Sequence, residues 1–366
     1  MATEEHGNPD QKATYWLAAA GLLVAMLALG VGVVAVIRAG DSSKTSVDGA
    51  GMPMSGGSSM MEHMAAAPME GVPDATATRG GQVMAHTVES GVWVFRLDAT
   101  PVRWPILPRT RVTAWTYNGV VAGPEIRVPY GQRVRFVVRN DLPDETTVHW
   151  HGIDVPNAMD GVPGITQEPI APGASFTYEF DAVPAGRDSA GGTFLYHSHV
   201  QEDRQFGLGL SGAFVIEPKQ AQNYDVEKTI VIQEWNLNAQ TGATRPAMDM
   251  EGMLPNFFTL NGKSFPATET VRVKRGQRVL FRLIGAGSLS HPMHLHGTAF
   301  TVVAKDGHPL AAPFKADVIQ VGSGERYDIA FTIDRPGKWV FHCHIGHHLT
   351  NDGDDPGGLL MIVDVA

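Results

Sequence analysis

The stretch that organises this chain is Phe341-His342-Cys343-His344-Ile345-Gly346-His347-His348, which contains the only cysteine among 366 residues. If the segment is a β-strand, side chains alternate between faces, so His342 and His344 share one face and Cys343 takes the other. A thiolate with imidazoles is typical of an electron-transfer copper site, whereas imidazoles alone suit copper, zinc or iron. An isolated cysteine is more often an inert core thiol. The surrounding histidines argue against that interpretation and predict two metal centres on one strand.

Length and composition predict a two-domain globular protein. A chain of 366 residues can bury a core in each of two domains of ordinary size. Its formal net charge of −10 argues against a nucleic-acid partner. A single cysteine forms no internal disulfide, so cysteine content leaves the redox compartment undecided. The 41 glycines and 24 prolines favour many short strands joined by turns.

The N-terminal part predicts a membrane attachment. After a polar segment, residues 1–14, residues 15–37 form an uncharged apolar run of 23 residues, long enough to cross a bilayer as a helix. A cleaved secretory signal is the alternative, but the run is long and no small-x-small cleavage site precedes Arg38. Residues 38–81 are rich in Gly and Ser and predict a flexible tether. The tether's methionines around His63 either collect Cu(I) or reflect linker composition. They are Met52, Met54, Met60, Met61, Met64 and Met69.

From Gln82 onward the sequence repeats itself with an offset of 145 residues. His149-Trp150-His151-Gly152 recurs as His294-Leu295-His296-Gly297, and Tyr196-His197-Ser198-His199 recurs as Phe341-His342-Cys343-His344. Alternating and β-branched runs bounded by Gly, Pro and Asp fill both copies, whereas helical periodicity is nearly absent. The repeat therefore predicts two tandem all-β domains, residues 82–220 and 221–366.

Each copy supplies two His-x-His pairs. One such pair is a weak signal, but four at matching positions in a duplicated chain predict metal binding. On strands, both imidazoles of a pair lie on one face, so the pairs offer eight nitrogen ligands in all. Eight ligands exceed what one ion takes and fit a cluster of three. His291 and His348 flank the thiolate and complete a second site.

These motifs resemble the four copper motifs of the multicopper oxidases. With two domains and one copper cysteine, in the second domain, the chain is most similar to the small two-domain laccases. The resemblance implies two cupredoxin-like Greek-key β-sandwich domains behind the transmembrane helix and tether. It also implies one-electron oxidation of phenolic or metal-ion substrates, coupled to four-electron reduction of dioxygen to water.

The resemblance assigns a ligand to each copper. It implies a type 1 copper held by His291, Cys343 and His348, and a type 2 copper held by His149 and His294. Two type 3 coppers would take the remaining histidines of the pairs, which are His151, His197, His199, His296, His342 and His344. Ser198 stands where the second copy has Cys343, so the first domain should lack a blue centre.

The sequence departs from the family pattern at two places. Gly353 occupies the position ten residues after the cysteine where relatives often carry an axial methionine. Aligning the last strand backwards favours Leu359 at the axial position, which would raise the potential of the site. Leu349 replaces a glutamate that follows the last histidine in many relatives. Asp160 matches the family's acid near the cluster and implies a proton relay, although an aspartate before glycine is also a common turn residue.

The resemblance also implies an assembly and a location. In two-domain relatives the first domain of one chain meets the second domain of its neighbour, and three chains close a ring. We therefore expect a homotrimer. A small reducing substrate, a phenol or Cu(I), would be met outside the cytoplasm. This predicts a membrane-anchored protein with its catalytic domains at the cell surface or in the periplasm.

Two other functions stay open from the sequence. A copper-containing nitrite reductase is also built from two cupredoxin domains, but it needs a type 1 site in the first domain and one catalytic copper. A membrane-tethered copper-binding module without catalysis would use the Met/His tether instead. If Cu(I) is the substrate, Met248, Met250 and Met253 would help to deliver it.

Overall fold

The computed structural model describes residues 70–186, 191–220, 223–238, 244–245 and 255–366. The predicted N-terminal segment and anchor, the predicted tether up to residue 69 and the methionines at 248, 250 and 253 lie outside these ranges. Within them, no helix has the length and apolar character that a bilayer crossing requires.

Regular structure in the described ranges is almost entirely β-strand, which confirms the predicted all-β class. The α-helix described there, α1 (Glu202–Gln205), has four residues, and short 3-10 turns cover Asn157–Met159 and Gly346–Leu349. The strands of the first half are β1 (Thr87–Glu89), β2 (Val92–Pro105), β3 (Arg111–Tyr117), β4 (Ile126–Pro129), β5 (Arg133–Asn140), β6 (His149–His151), β7 (Ser175–Asp181), β8 (Gly192–His197) and β9 (Ser211–Glu217). The strands of the second half are β10 (Val226–Leu237), β11 (Thr244–Arg245), β12 (Phe257–Leu260), β13 (Val271–Val273), β14 (Val279–Gly285), β15 (His291–Leu295), β16 (Phe300–Lys305), β17 (His308–Ala316), β18 (Val318–Val321), β19 (Arg326–Phe331), β20 (Gly337–Cys343) and β21 (Leu360–Val365).

The first half consists of two sheets around one core. One sheet has the order β1-β2-β5-β7 with β3 on β2, and the other has the order β4-β9-β8-β6. Strand β5 shows why they pack, because Val134, Phe136 and Val138 are buried while Arg133 and Arg139 are exposed. Between the sheets the Phe136 ring lies 4.3 Å from the Trp150 ring, so the residue between His149 and His151 anchors their strand in the core.

The second half has the same two-sheet arrangement. Its sheets run β11-β10-β14-β19-β16-β17, with β12 on β10, and β13-β21-β20-β15-β18. Phe281 from the first and Phe341 from the second meet in the core with ring centroids 5.4 Å apart. Cys343 belongs to this core and is fully buried.

The repeated motifs occupy equivalent places in the two halves. Strand β6 pairs with β8 so that His149 lies opposite His197, and β15 pairs with β20 so that His294 lies opposite His342. Each histidine of the second pair lies 145 residues after its counterpart in the first pair, which is the offset seen in the sequence. Antiparallel pairing brings directly opposite residues close together, which turns two distant motifs into one cluster in each half.

A buried ion pair of the second half is hydrogen-bonded to a hydroxyl of the first half. Arg282 Nη1 donates to Asp328 Oδ2 at 2.7 Å, and Thr193 Oγ1, from the first half, donates to Asp328 Oδ1 at 2.6 Å. Burial raises the pKa of Asp328, so the arginine and the threonine hydroxyl are needed to stabilise its ionised carboxylate.

The described residues begin inside the range predicted to be a tether, residues 38–81. Within that range, Asp74 Oδ2 lies 2.9 Å from Nη2 of Arg103.

Candidate metal centres

The cysteine and two histidines form a buried cluster at one end of the second half. Strand β15 begins with His291, β20 ends with Cys343, and the turn Gly346–Leu349 carries His348. One ligand atom from each lies within 4.8 Å of the others. The Sγ atom of Cys343 is 3.4 Å from Nδ1 of His348, and that nitrogen is 3.1 Å from Nδ1 of His291. This is the donor set that a blue copper site requires.

Burial has opposite effects on the readiness of two members of this cluster to bind a cation. Burial, with a smaller contribution from His291, lowers the pKa of His348 to about 4, so this imidazole is neutral at neutral pH. Burial raises the pKa of Cys343 to about 11, and the thiol therefore keeps its proton in the absence of a metal. A soft metal ion that binds the sulfur must displace that proton, so loading releases one proton from the site.

Leu359 lies directly beside this cluster. Its carbonyl oxygen accepts a hydrogen bond from the Cys343 amide at 3.0 Å, and its amide donates to the His348 carbonyl at 2.9 Å. The Leu359 side chain is fully buried in the core that contains Cys343, whereas Gly353 lies exposed in the preceding loop. The described geometry thus brings Leu359, and not Gly353, next to two of the three predicted ligands.

The first half places His149, His151 and His197 in one group with ligand atoms within 4.8 Å. His149 Nδ1 donates to the Asp160 carbonyl at 2.8 Å, and His197 Nδ1 donates to the Ser198 carbonyl at 2.9 Å. Because a carbonyl only accepts, Nδ1 carries the proton in both rings and Nε2 offers its lone pair. Burial lowers the pKa of His197 to about 3, and burial with the charge of Arg326 lowers that of His151 to about 4.

The second half repeats this group with His294, His296 and His342. His294 Nδ1 donates to the Asp317 carbonyl at 2.7 Å, and His342 Nδ1 donates to the Cys343 carbonyl at 2.7 Å. The Nε2 atoms of His296 and His342 lie only 3.0 Å apart. Burial lowers the pKa of both rings. Opposed nitrogens of largely neutral imidazoles fit a bound cation, so the residues present suit a metal here.

The outer histidine of each half lies at the edge of its group. The ring of His199 is 5.5 Å from that of His149, and the ring of His344 is 5.5 Å from that of His294. We call the four histidines of each half a half-site. All ring contacts of these eight histidines with each other, among the residues described, stay within one half-site. His296 and His344 are exposed. One chain therefore presents two separate, open half-sites.

Asp160 lies next to the first half-site. Its Oδ1 atom is 3.3 Å from Nδ1 of His149, and the side chain is about one-third exposed. The following Gly161 has φ +80°, and a Cβ there would lie 2.0 Å from the Val148 carbonyl oxygen. Asp160 thus has both properties considered from the sequence, because it is an acid beside a ligand and it leads into a tight turn.

The position equivalent to the cysteine in the first half holds a neutral hydrogen-bond network. Ser198 Oγ donates to Gln205 Oε1 at 2.6 Å, and Thr146 Oγ1 donates to the same oxygen at 2.8 Å. Thr146 precedes His291 by the repeat offset of 145, so both ligand positions carry hydroxyls. Gln205 is fully buried and was not singled out from the sequence, because no motif marks it.

A carboxylate that the sequence analysis missed contacts the cysteine cluster. Glu234 Oε1 lies 2.6 Å from Nε2 of His291, and both side chains are buried. The signal that could have revealed it is a single charged residue in the buried part of strand β10, residues 229–237. A buried acid needs partners to offset its desolvation, and this one finds a predicted metal ligand.

Comparisons with known proteins agree with this geometry. Family profiles described as multicopper oxidase match residues 98–221 and 237–352. The multicopper oxidase MmcO of Mycobacterium tuberculosis is 32% identical over 251 residues, which cover 60% of this chain and 48% of that protein. Laccase-1 of Botryotinia fuckeliana is 35% identical over 250 residues, covering 63% of this chain and 42% of the fungal protein. The chain thus spans about half the length of these curated relatives.

A solved structure matches over a larger share of its length. The blue copper oxidase of Nitrosomonas europaea superposes with a TM-score of 0.68 at 34% identity, covering 74% of this chain and 85% of that one. The match supports a cupredoxin-like arrangement of the sheets, and the family implies copper as the metal. Two matching profiles, one in each half of a duplicated chain, and a relative covered over most of its length lead to one conclusion. This chain is a member of the multicopper oxidase family.

Proposed function

We propose that the protein is a laccase-like oxidase that takes single electrons from a small reducing substrate, a phenol or Cu(I), and reduces dioxygen to water. The observation that carries the proposal is the division of one strand, β20, between two sites. Cys343 faces a buried thiolate site, while its neighbours His342 and His344 belong to an open half-site. The similarity to proteins named as laccases supports this function.

We assign the ligands of four copper ions to these residues. One type 1 ion would be held by His291, Cys343 and His348, with Leu359 as the non-coordinating axial neighbour. One type 2 and two type 3 ions would be held by the eight histidines of two half-sites. Bound copper would supply the one-electron redox chemistry that joins substrate oxidation to dioxygen reduction.

The chain's own residues prepare these sites in three ways. Backbone carbonyls fix the Nδ1 proton of His149, His197, His294 and His342, so their Nε2 lone pairs face the half-site. Burial of His348 keeps an imidazole neutral where a cation must bind. Asp160 places a carboxyl group beside His149, where we propose that it supplies protons to the reduced oxygen.

We further propose that three chains assemble head to tail, each contributing one half-site to each of two clusters. Support comes from the separation of the half-sites within one chain and from the apolar residues beside them. Ile165 follows the Asp160 turn and is 81% exposed, Val318 pairs with His294 and is 37% exposed, and Ile345 follows His344 and is 38% exposed. A second chain would cover these residues, and closure of a heterologous contact gives a ring.

We propose in addition that residues 15–37 anchor the protein in a membrane, with the catalytic domains outside the cytoplasm. The length of the apolar run supports this placement. The nature of the substrates also supports it, since phenols and Cu(I) are met there. Fractionation of cells, with protease protection of the catalytic part, tests this proposal.

Oxygen consumption by the copper-loaded full chain, with a phenol and with Cu(I) as donors, tests the activity. We expect oxygen uptake together with the intense visible absorption of a copper–thiolate bond. The faster donor would identify the substrate class. The absorption without oxygen uptake would favour nitrite reduction or electron transfer. Absence of both would leave copper binding as the function.

Mixing two inactive variants tests the shared cluster. His151→Ala disables the first half-site, and His296→Ala disables the second. If each cluster joins the halves of two chains, refolding the variants together forms some clusters without a substitution. Random head-to-tail assembly should restore about a quarter of the wild-type activity. No recovery in the mixture would contradict a cluster shared between chains.

A further inference from the structure

We infer that Glu234 is the positioning residue that makes His291 a metal ligand, by holding the proton on Nε2 and leaving the Nδ1 lone pair for the metal. The inference rests on the proposed thiolate site. It adds Glu234 of strand β10 to that site and specifies the tautomer on which metal binding depends.

The hydrogen bonds around Glu234 fix the direction of every proton. Its Oε1 atom lies 2.6 Å from Nε2 of His291 and 3.2 Å from the Leu289 amide, and its Oε2 atom lies 3.0 Å from the Ser288 amide. Backbone amides only donate, and a carboxylate only accepts. No Lys or Arg pairs with Glu234 among the described residues. His291 Nε2 must therefore be the third donor.

The proton on Nε2 determines what the other side of the ring can do. A neutral imidazole has one N–H, so Nδ1 of His291 keeps its lone pair. That atom is 3.1 Å from Nδ1 of His348, which lies 3.4 Å from the Cys343 sulfur. The lone pair thus faces the two other predicted ligands. Carboxylates behind metal-ligating histidines orient the ring and increase its basicity in this way.

The same pair of strands supports both imidazoles of the site. Glu234 lies opposite Phe258 in the pairing of β10 with β12, and the Phe258 ring stacks on His348 at 4.3 Å. Gly287 leaves the space that the carboxylate fills, because a Cβ there would lie 1.7 Å from Glu234 Oε2. These strands hold one ring by a hydrogen bond and the other by packing.

Replacement of Glu234 by glutamine tests this role, because the glutamine amide has one acceptor oxygen where the carboxylate has two. In Glu234→Gln the NH₂ group replaces either Oε1, where it faces His291 and the Leu289 amide, or Oε2, where it faces the Ser288 amide. At Oε1 it draws the proton onto Nδ1 of His291 and blocks metal binding, and at Oε2 it opposes the Ser288 donor. A residue that only fills space would tolerate this nearly isosteric change.

The first measurement needs neither a variant nor copper. In the metal-free full chain, the ring ¹⁵N resonances of His291 report which nitrogen carries the proton. We expect Nε2–H in the wild type. A proton on Nδ1 of the wild-type residue would overturn the inference, whether or not the protein proves to be an oxidase.

The second measurement compares Glu234→Gln with Glu269→Gln, which removes an exposed acid paired with Lys228. Copper is titrated into each protein and followed by the copper–thiolate absorption. We expect Glu234→Gln to weaken copper binding at the thiolate site by roughly 10- to 100-fold, and to shift the His291 tautomer. Glu269→Gln should change neither. Unchanged affinity and tautomer in a folded Glu234→Gln protein would refute the positioning role.

Discussion

At the scale of single residues, the proposed thiolate metal site of the second half corresponds to a hydrogen-bond network in the first half. Cys343 has two imidazoles around its sulfur, whereas Ser198, in the equivalent position, shares a buried glutamine oxygen with Thr146. Both positions are fully buried, so exposure does not separate them. The difference lies in the donor atoms, since a thiolate with imidazoles holds a soft metal and hydroxyls do not.

Substitution at these two positions tests that distinction. Cys343→Ser should abolish the copper–thiolate absorption, because the sulfur is the proposed ligand of the chromophore, and should also stop oxidation of the reducing substrate. Ser198→Ala is the matched control and should keep the absorption in full. Visible spectra of the copper-loaded proteins provide the measurement. Absorption that persists in Cys343→Ser would assign the blue site elsewhere.

The buried histidines make the metal-free protein sensitive to acid. In the unfolded chain His197 and His348 bind protons below about pH 6.5, whereas in the fold their pKa values are about 3 and about 4. The unfolded state therefore binds more protons between pH 6.5 and 3, so the free energy of unfolding should decrease as the pH falls through this range. For His348 alone the decrease is roughly 3 kcal/mol.

Urea unfolding of the metal-free protein at several pH values measures this effect. His348→Asn should flatten the dependence, because the group that resists protonation in the fold is removed. His86→Asn, at an exposed histidine, serves as the control and should leave the slope unchanged. An unfolding free energy that does not vary between pH 6.5 and 4 would contradict the burial of neutral imidazoles.

At the scale of elements, short turns decide where ligands lie. Gly161 and Gly164 lie three residues apart in the loop after His151, and both have positive φ, +80° and +69°. A Cβ on Gly161 would collide with the Val148 carbonyl oxygen at 2.0 Å, whereas a Cβ on Gly164 meets nothing within 4 Å. The backbone strain is similar at the two sites, and only Gly161 is also enclosed beside His149.

This difference gives a matched pair of substitutions. Gly161→Ala should displace the turn and the His149 ring, and should lower oxygen reduction by roughly 100-fold, as expected for misplaced catalytic groups. Gly164→Ala should cost only about 1–2 kcal/mol of stability from left-handed strain. Both should keep the copper–thiolate absorption. Equal oxygen uptake by the two variants would show that the turn does not position the half-site.

At the scale of the whole molecule, the open half-sites predict an assembly that can be broken selectively. Ile165→Asp puts a charge five residues after Asp160, on an 81% exposed side chain that a neighbouring chain would cover in the proposed assembly. Burial of that charge without a partner is unfavourable. We expect sedimentation to show dissociation and oxygen uptake to fail, while the buried thiolate site keeps its absorption.

Val88→Asp is the control for this substitution. Val88 is 59% exposed and lies on β1, in a sheet that carries no predicted ligand. It should leave the assembly and the activity unchanged. If Ile165→Asp also stays assembled and active, the interface lies elsewhere or a single chain is sufficient.

Much of the fold followed from patterns that are local in the chain. Strand β3 (Arg111–Tyr117) is one of the alternating, β-branched and aromatic runs that predict strands, because this pattern is a local property of the sequence. Strand β17 (His308–Ala316) was not predicted, since most of its residues are exposed and no buried face imposes a pattern. The 145-residue repeat also located the four histidine motifs, because duplication preserves spacing.

What the sequence determined by itself is the type and number of donor atoms, and their division between the two faces of one strand. The tertiary structure decided which atoms meet. It brought Glu234 from β10 behind His291, placed Leu359 beside Cys343, and left the half-sites of one chain apart. These contacts depend on strand pairing between residues far apart in sequence, which carries no local signature. The sequence motifs therefore identify the donor atoms, whereas the pairing of strands determines which of these atoms come together.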